Sequence, residues 1–265
     1  MYLVKGLIYL GFSVFIIKGM ETAYVYYFKK PFYVHFYLIK KRLSSKQLNI
    51  LKQNNDLYNK LEADNKKFFQ HRVVTFIDNY EFIGKEGLVV TEEMKVVIAS
   101  IYVMITFGLR NYLIETFDKI LIYPGEYYSN INKTYHKGEY NIRYKAVVLS
   151  WEDVKRGIEI KNDNLNLAIH EFTHALNFHG LKAGDDGATI FHDTFLEIVK
   201  YIEQPKVKDN LNSSTFFREY SKTNRLEFFA VILEHFFESP EDFKSQFPDL
   251  YIKVKRMLNF NYAGY

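Results

Sequence analysis

The pattern of apolar and polar positions predicts a series of helices interrupted once by strands. Residues 44–53 begin like a helix capped by Ser44, and residues 56–80 have the spacing of an amphipathic helix. The predicted core face of that second helix consists of Phe68, Val73, Val74, Phe76 and Ile77. Glycines at 84 and 87 should end it. Residues 91–108 then predict a helix capped by Thr91 that is too apolar for the surface and should be buried.

Beyond residue 109 the pattern changes to short apolar runs typical of strands. Residues 118–128 predict a strand that ends at Pro124-Gly125, and residues 141–151 predict another. Ser150 and Asp153 have capping-box spacing for a short helix that Gly157 should stop. Helices, a few strands and more helices predict an α+β fold, mostly helical with a small sheet. Residues 144–150 are interpreted either as a strand that a substrate peptide extends or as ordinary sheet packing.

The first 42 residues form an apolar and basic extension of uncertain placement. Residues 6–17 are uncharged and apolar between Lys5 and Lys18, which is shorter than the roughly 20 residues of a typical spanning helix. The flanking lysines can reach toward water, and residues 23–28 continue the apolar character. No small-residue cleavage site follows, so a removed signal peptide is not expected. Membrane association and a helix packed on the body both remain open, with residues 43–265 as the main domain.

Composition and charge narrow the classes of function. Cysteine is absent, so disulfides and thiolate metal sites are excluded and any metal must be held by His, Asp or Glu. Residues 1–52 carry nine Lys or Arg side chains against Glu21 alone, while the whole chain has a net charge of +4. The remainder is therefore net acidic, which argues against nucleic-acid binding and predicts contact with an anionic surface near the N-terminus. If residues 1–28 span a membrane, the basic cluster predicts a cytoplasmic body at its inner face.

One stretch, NLNLAIHEFTHALNFHG at residues 164–180, carries candidate metal chemistry. His170 and His174 are four residues apart, so a helix puts both imidazoles on one face within reach of one ion. Glu171 is rotated by about 100° from that row and can reach a water beside the metal, as a general base must. Asn164 or Asn166 should cap the helix and Gly180 should stop it. The alternative is a buried helix whose histidines bond to backbone.

A third ligand must come from elsewhere in the chain. The pattern His-x-x-Gly-x-x-His fails at Asn177 and Gly180, so His179 and His192 are interpreted as surface or loop residues. Glu227 begins an amphipathic helix that should run to about residue 238. It is equally placed to complete a capping box with Asn224. Spacing alone does not decide between the metal-ligand role and the capping role of Glu227. Glu234, two helical turns further, is an alternative ligand or a group that orients a ligand.

Several blocks together resemble the Mlc titration factor A family of zinc-dependent peptidases, whose metal domain is similar to that of anthrax lethal factor. The blocks lie in the family's order between about residues 68 and 258. They are RVVTFIDNYEFIGKEGLVVTEEMKVVIAS (72–100), LIYPGEY (121–127), VVLSWEDVKRG (147–157), NLAIHEFTHALN (166–177) and YSKTNRLEFFAVILEHFFESPEDF (220–243). This resemblance implies a zincin-like metallopeptidase domain.

The resemblance also implies roles for individual residues. It implies zinc bound by His170, His174 and Glu227, Glu171 as the catalytic base, and Tyr220 assisting the transition state. The family usually has Asp where this chain has Asn177, which predicts weaker zinc binding or an altered water pKa. The function expected is zinc-dependent hydrolysis of peptides or proteins. The alternative is a regulatory protein that captures a sugar-responsive transcriptional repressor, with the zinc site secondary.

Overall fold

The fold is known from a computed structural model that describes residues 2–129, 133–182, 186–218 and 224–260. Its helices are α1 (Tyr2–Phe28), α2 (Ser45–Asn54), α3 (Asp56–Lys60), α4 (Ala63–Asn79), α5 (Glu92–Thr106), α6 (Trp151–Glu159), α7 (Leu167–Lys182), α8 (Asp186–Ile202), α9 (Pro205–Ser213), α10 (Arg225–Glu238), α11 (Pro240–Gln246) and α12 (Pro248–Met257). Its strands are β1 (Glu81–Gly84), β2 (Lys119–Tyr123), β3 (Tyr127–Ser129), β4 (Thr134–His136), β5 (Gly138–Asn141) and β6 (Ala146–Ser150). The predicted α+β class, mostly helical with a small sheet, is confirmed.

The main sheet has the order β1-β2-β6-β5, and β3 pairs with β4 in a separate ribbon. β1, β2 and β6 are parallel, whereas β5 runs antiparallel to β6. Every residue of β6 is buried, as expected for a strand inside a covered sheet. β6 therefore has partners on both sides and cannot accept a further strand. The interpretation of residues 144–150 as the strand that a substrate extends is wrong, because β6 lies inside the sheet and the edge strands are β1 and β5.

Two buried helices connect the sheet to the helical layers. α5 begins at Thr91, whose hydroxyl accepts a hydrogen bond from the backbone N–H of Met94 at 3.2 Å. It lies against α2, α4 and α7, which confirms the predicted buried position. α7 in turn contacts β5, β6, α5, α6, α8 and α10. Nearly every surface of α7 is thus covered by protein, and side chains on it have fixed surroundings.

The helix predicted over residues 56–80 is two helices. Leu61 and Glu62 have extended backbone angles between α3 and α4, which directs Leu61 into the core. In α4, Val73 and Phe76 are fully buried as predicted. The other three predicted core residues, Phe68, Val74 and Ile77, are only half-buried at the edge of the core. Phe69 and Arg72 occupy the interior in their place.

Arg72 has a completely buried side chain that holds a loop to α4. Its guanidinium donates to the backbone carbonyls of Thr106, Phe107 and Leu109, at 2.9, 3.2 and 2.8 Å. It also donates to the Tyr37 hydroxyl at 2.8 Å. Since the three carbonyls belong to the end of α5 and the chain after it, Arg72 fixes the exit of the central helix.

The capping predictions had mixed outcomes. Ser44 caps α2 as predicted, in a capping box with Gln47. Ser150 caps α6 by accepting from the Asp153 N–H, but the reciprocal bond of the predicted capping box does not form. The glycine stops are wrong at two helices: α6 continues past Gly157 to Glu159, and α7 continues past Gly180 to Lys182. Neither glycine has a left-handed backbone, because packing on both helices outweighs the weak helix preference of Gly. The strand β1, between α4 and the turn at Gly87, was not predicted.

α1 is long and apolar, and most of it stands away from the body. All residues from 4 to 20 are exposed, whereas Glu21, Tyr24 and Val25 are at least partly covered by the body. The alternative of a helix packed on the body is therefore wrong for residues 4–20. Residues beyond α1 do pack there, since the carbonyl of Val34 and the hydroxyl of Tyr37 both lie within hydrogen-bond distance of Arg72. A domain boundary at residue 42 stays a prediction.

Candidate metal centre

The start of α7 is fixed by Asn166. Its Oδ1 accepts from the backbone N–H of Ile169 at 3.1 Å, so Asn166 is the cap, and its Nδ2 donates to the Gly157 carbonyl and to the Glu238 carboxylate, both at 3.1 Å. One side chain thereby joins the ends of α6, α7 and α10. These Asn166 hydrogen bonds fix the rotation of α7 about its axis. They therefore also fix the direction in which His170, one turn later, and His174 point.

His170, His174 and Glu227 come together across the α7–α10 contact. Their donor atoms all lie within 4.8 Å of one another. His170 Nε2 is 3.0 Å from Glu227 Oε2, and His174 Nε2 is 3.5 Å from Glu227 Oε1. The two imidazole rings are nearly perpendicular, with centroids 4.8 Å apart. Two imidazole nitrogens and one carboxylate converging on one point form a donor set suited to a divalent metal ion.

Glu234 holds the far side of His170. Its Oε1 is 2.6 Å from His170 Nδ1, on the opposite side of the ring from Glu227, and the carboxylate is almost completely buried. Arg218 Nη2 donates to the same oxygen at 2.8 Å, while Nη1 donates to the Asn164 carbonyl. Of the two roles predicted for Glu234, this geometry favours a group that orients a ligand imidazole.

Glu171 lies beside the cluster in a buried position against β5. The backbone N–H of Tyr140 donates a hydrogen bond to its carboxylate. Gly138 packs so closely that a Cβ there would lie 2.9 Å from both Cγ and Oε1 of Glu171. Burial raises the pKa of Glu171 to about 7, against the opposing effects of the His170 charge and the Tyr140 bond. A carboxylate with this pKa exchanges protons near neutrality, which suits a general base.

The two histidines have opposite pKa shifts. Burial, together with the neighbouring His170 charge, lowers the pKa of His174 to about 4. Burial also acts to lower the pKa of His170, but hydrogen bonds to Glu227 and Glu234 outweigh it and raise the pKa to about 10. The protonated His170 ring therefore lies between two carboxylates, with its Nε2 proton toward Glu227 and its Nδ1 proton toward Glu234. A bound cation would take the place of that proton on Nε2.

The first turn of α10 reconciles the two interpretations of Glu227. Asn224 Oδ1 accepts from the backbone N–H groups of Leu226 and Glu227, at 2.8 and 2.9 Å, so Asn224 does cap the helix. The Glu227 carboxylate faces the two imidazoles, one oxygen toward each ring. The backbone of Glu227 thus serves the cap while its side chain joins the cluster.

A cleft of about 520 Å³ opens over His170 and Glu171. Gly138, Arg218 and Glu234 contribute to its wall together with charged and aromatic residues of the β3–β4 and α6 regions. On its rim Lys137 pairs with Asp153 at 2.7 Å and with Glu126 at 3.5 Å. The volume of the cleft lies within the range of about 300–1,000 Å³ that is usual for ligand sites in proteins.

Other predicted positions have different outcomes. Tyr220 lies outside the described residues, so its role stays a prediction. His179 and His192 are half-buried within α7 and α8, so the expectation of loop positions is wrong. Asn177 is buried on α7, and its predicted effect on the metal is untested.

Two contributors to the site were missed at the level of sequence. Arg218 lies in no recognisable motif. No turn motif surrounds Gly138 in the sequence, so nothing marked it as a position with a structural role. Its contact with Glu171 is between residues far apart in the chain and is not visible in their spacing.

An α+β domain whose buried helix presents two histidines and one glutamate beside a second, later glutamate has the site architecture of a metallopeptidase. The chain belongs to the glucose-regulated metallo-peptidase M90 family, whose sequence profile matches residues 34–258. The resemblance to the Mlc titration factor A family is confirmed.

Similar proteins come from several bacteria. A Synechocystis protein of uncharacterised function is 25% identical over 229 residues, which cover 75% of this chain and 78% of that protein. Mlc titration factor A of Serratia proteamaculans is 25% identical over 187 residues, covering 64% and 71%, and that of Yersinia pestis is 23% identical over 202 residues, covering 69% and 74%.

Proposed function

We propose that this protein is a zinc-dependent peptidase in which His170, His174 and Glu227 hold the metal and Glu171 is the general base. The observation that carries the proposal is the convergence of three donor atoms within 4.8 Å, with a buried carboxylate of raised pKa next to them. Two histidines and one glutamate are the ligands of catalytic zinc sites that keep one position open. Zinc supplies Lewis acidity when bound there, acidifying a water and polarising the scissile carbonyl.

The residues of the chain account for the proton movements of hydrolysis. Glu171 accepts a proton from the attacking water as the water oxygen bonds to the carbonyl carbon. It then delivers that proton to the amine nitrogen as the C–N bond breaks. The Tyr140 N–H and the Gly138 backbone hold the Glu171 carboxylate, and Glu234 with Arg218 holds the His170 ring. The resemblance adds Tyr220 as a donor to the developing oxyanion, a contact worth roughly 2.7–4 kcal/mol.

The open edge of β5 supports a place for the substrate backbone. The Ser150 N–H donates to the Lys137 carbonyl, so in the antiparallel β5–β6 pair the groups of Gly138 and Tyr140 point away from β6. Glu171 uses the Tyr140 N–H, which leaves the polar groups of Gly138 toward the cleft. An extended peptide that pairs there would lie next to the base.

Cleavage of a mixed peptide library by the full zinc-loaded chain tests this proposal. We expect cleavage that a chelator stops and that added zinc restores, read out by mass spectrometry of the products. Intact peptides after prolonged incubation with protein of verified zinc content would contradict it.

Glu227→Gln and Asn224→Ala separate the ligand role from the cap. Glu227→Gln keeps the backbone N–H that Asn224 caps, so we expect Tm of the metal-free protein to change little. Removing a ligand should weaken zinc binding by at least the roughly 10–100-fold measured for loss of supporting groups. Asn224→Ala should do the reverse, lowering the unfolding free energy by about 1 kcal/mol with zinc affinity nearly unchanged. Equal zinc affinity for Glu227→Gln and wild type would rule out Glu227 as a ligand.

Gly138→Ala should lower kcat while leaving zinc content intact. The added Cβ would lie 2.7 Å from Leu167 Cδ1 and 2.9 Å from Glu171 Oε1, so the base must shift. A displacement of about 1 Å costs on the order of 100-fold in rate. Gly125→Ala is the matched control, because its Cβ meets only the flexible end of Glu152. Activity assays of both variants at equal zinc occupancy measure kcat. An unchanged kcat in Gly138→Ala would refute the role of Gly138 in positioning Glu171.

A second candidate function rests on the names of the relatives. Two of the similar proteins reported above are called Mlc titration factor A, and this chain covers 71% and 74% of them. Capture of a transcriptional repressor would then be a property of the surface, with the metal site secondary. A Glu171→Gln protein that still bound such a partner would assign capture and hydrolysis to separate parts of the molecule.

A further inference from the structure

We infer that α1 is an uncleaved membrane anchor that spans an anionic lipid bilayer and holds the body directly against its positively charged side. Residues 4–28 of α1 are long and apolar enough, by length and composition, to cross a membrane. Three further properties distinguish a spanning anchor from other apolar helices. They are exposure, the lack of a polar face and direct attachment to the body.

The first property is exposure. None of the residues from 4 to 20 is covered by the described body, and Leu7, Leu10, Phe12 and Phe15 are each at least 60% exposed. The core helix of a soluble domain has the same composition but is buried, as α5 is. An apolar surface of this extent requires a cover that the body does not provide.

The second property is the absence of a polar face. Between Lys5 and Lys18 no side chain is charged, and the polar groups are the hydroxyls of Tyr9 and Ser13; the Ser13 hydroxyl donates to the Tyr9 carbonyl of the same helix. A helix that lies in the membrane surface needs a charged face toward water. A helix that is apolar all round is instead suited to be surrounded by hydrocarbon.

The length of the exposed part matches a short span. Residues 4–20 rise about 25 Å as a helix, at 1.5 Å per residue. Lys5 and Lys18 lie near the two ends of this part, and each can extend its ammonium by several ångström toward the headgroups. The hydrocarbon core of about 30 Å is then bridged with modest local thinning.

The third property is direct attachment to the body. Glu21, one turn after Lys18, forms an ion pair with Arg110, and Arg110 also bonds to the Tyr33 hydroxyl. Val25 is only 8% exposed, and the ring of Tyr24 packs edge-on against Phe32 at 5.2 Å. The helix therefore enters the body without a flexible linker, and the body lies at the membrane surface in a defined orientation.

Charge identifies the kind of membrane and its side. Lys29, Lys30, Lys40, Lys41 and Arg42 follow the helix on the body side. By contrast, residues 1–17 carry a single charged side chain, Lys5. This asymmetry complements anionic headgroups and keeps the body on the cytoplasmic side. Exposed Tyr26, Tyr27 and Phe28 lie at the level where aromatic residues meet headgroups.

Membrane extraction tests the anchor in the full chain. Expressed in bacterial cells, the wild type should sediment with membranes, resist high salt and alkaline carbonate, and retain its complete N-terminal mass. Leu10→Asp with Val14→Asp should move the protein to the soluble fraction with its fold intact, since both side chains are exposed on the part of α1 that the described body does not cover. Val89→Asp with Ile252→Asp, two exposed apolar positions on the body, is the matched control and should remain in the membrane.

The absence of cysteine permits a direct test of topology. Single substitutions Val4→Cys, Ser13→Cys and Thr22→Cys are labelled with a membrane-impermeant maleimide in spheroplasts and in inverted vesicles. We expect Val4→Cys to react only in spheroplasts, Thr22→Cys only in inverted vesicles, and Ser13→Cys in neither until detergent is added.

Four outcomes would overturn the inference. They are a fully soluble wild type, release by salt or carbonate, a mature chain that lacks the helix, and a soluble oligomer that buries α1 between copies. The first two exclude insertion, the third indicates a signal sequence and the fourth identifies a second copy as the cover. None of them bears on hydrolysis by the body, which the peptide library tests separately.

Discussion

Glu171→Gln should abolish most peptide hydrolysis while leaving the metal bound. Glutamine has the shape of glutamate and can accept the Tyr140 hydrogen bond, but it cannot take a proton from water. General-base catalysis contributes about 10²–10⁴-fold, so kcat should fall by that factor. Because Glu171 is outside the His170–His174–Glu227 cluster, zinc affinity should change far less than in Glu227→Gln.

Glu159→Gln provides the control for this prediction. Glu159 is the exposed last residue of α6, so the same chemical change there should leave kcat unaffected. Rates are compared at equal zinc occupancy on a peptide selected from the library. A Glu171→Gln protein with at least a third of wild-type kcat would exclude Glu171 as the base and move the proposed function toward partner binding.

Arg72→Leu should destabilise the fold by on the order of 3 kcal/mol or more. The substitution leaves three backbone carbonyls at the end of α5 without their buried donor, and each such loss costs about 1–3 kcal/mol. It also removes the guanidinium that stacks 4.2 Å from the Tyr112 ring. Leucine is apolar and smaller, so it replaces neither the hydrogen bonds nor the volume.

Arg256→Leu is the matched comparison for stability. Arg256 pairs with Glu197 at the surface, where both side chains are about 40% exposed or more. Exposed pairs contribute about 0–1 kcal/mol, so its Tm should remain near that of the wild type. Denaturant unfolding of both variants gives the two free energies. A loss below about 1 kcal/mol for Arg72→Leu would mean that water or a shifted loop satisfies the carbonyls.

Features encoded by neighbouring residues were predictable from the sequence. Ser44, Thr91 and Ser150 were recognised as caps because each bonds within three residues of itself. The buried position of α5 followed from its composition. His170 and His174 share a face because helical spacing puts them there, which required no knowledge of the rest of the fold.

Features formed by distant contacts were not predictable in this way. Arg72 is polar by type, and only its contacts some 35 residues away make an interior position favourable. β1 is four residues long and gains its identity from pairing with β2, 38 positions along the chain. Spacing could not decide whether Glu227 is part of the helix cap or a metal ligand. Its backbone N–H bonds to the capping Asn224 while its side chain faces His170, so one residue can do both.

The hydrogen bond from Tyr140 to Glu171 has a consequence for aggregation. β5 is one of the two edge strands of the main sheet, and unpaired edge groups are where a second chain can add a strand. The Glu171 carboxylate accepts a hydrogen bond from one of these edge groups, the Tyr140 N–H, and α7 packs alongside β5. The carboxylate proposed as the base thus also shields the Tyr140 part of this edge from self-association, while the Gly138 groups stay open toward the cleft. A glutamine at this position would preserve the shield, whereas an alanine would open it and leave a chain prone to clustering at high concentration.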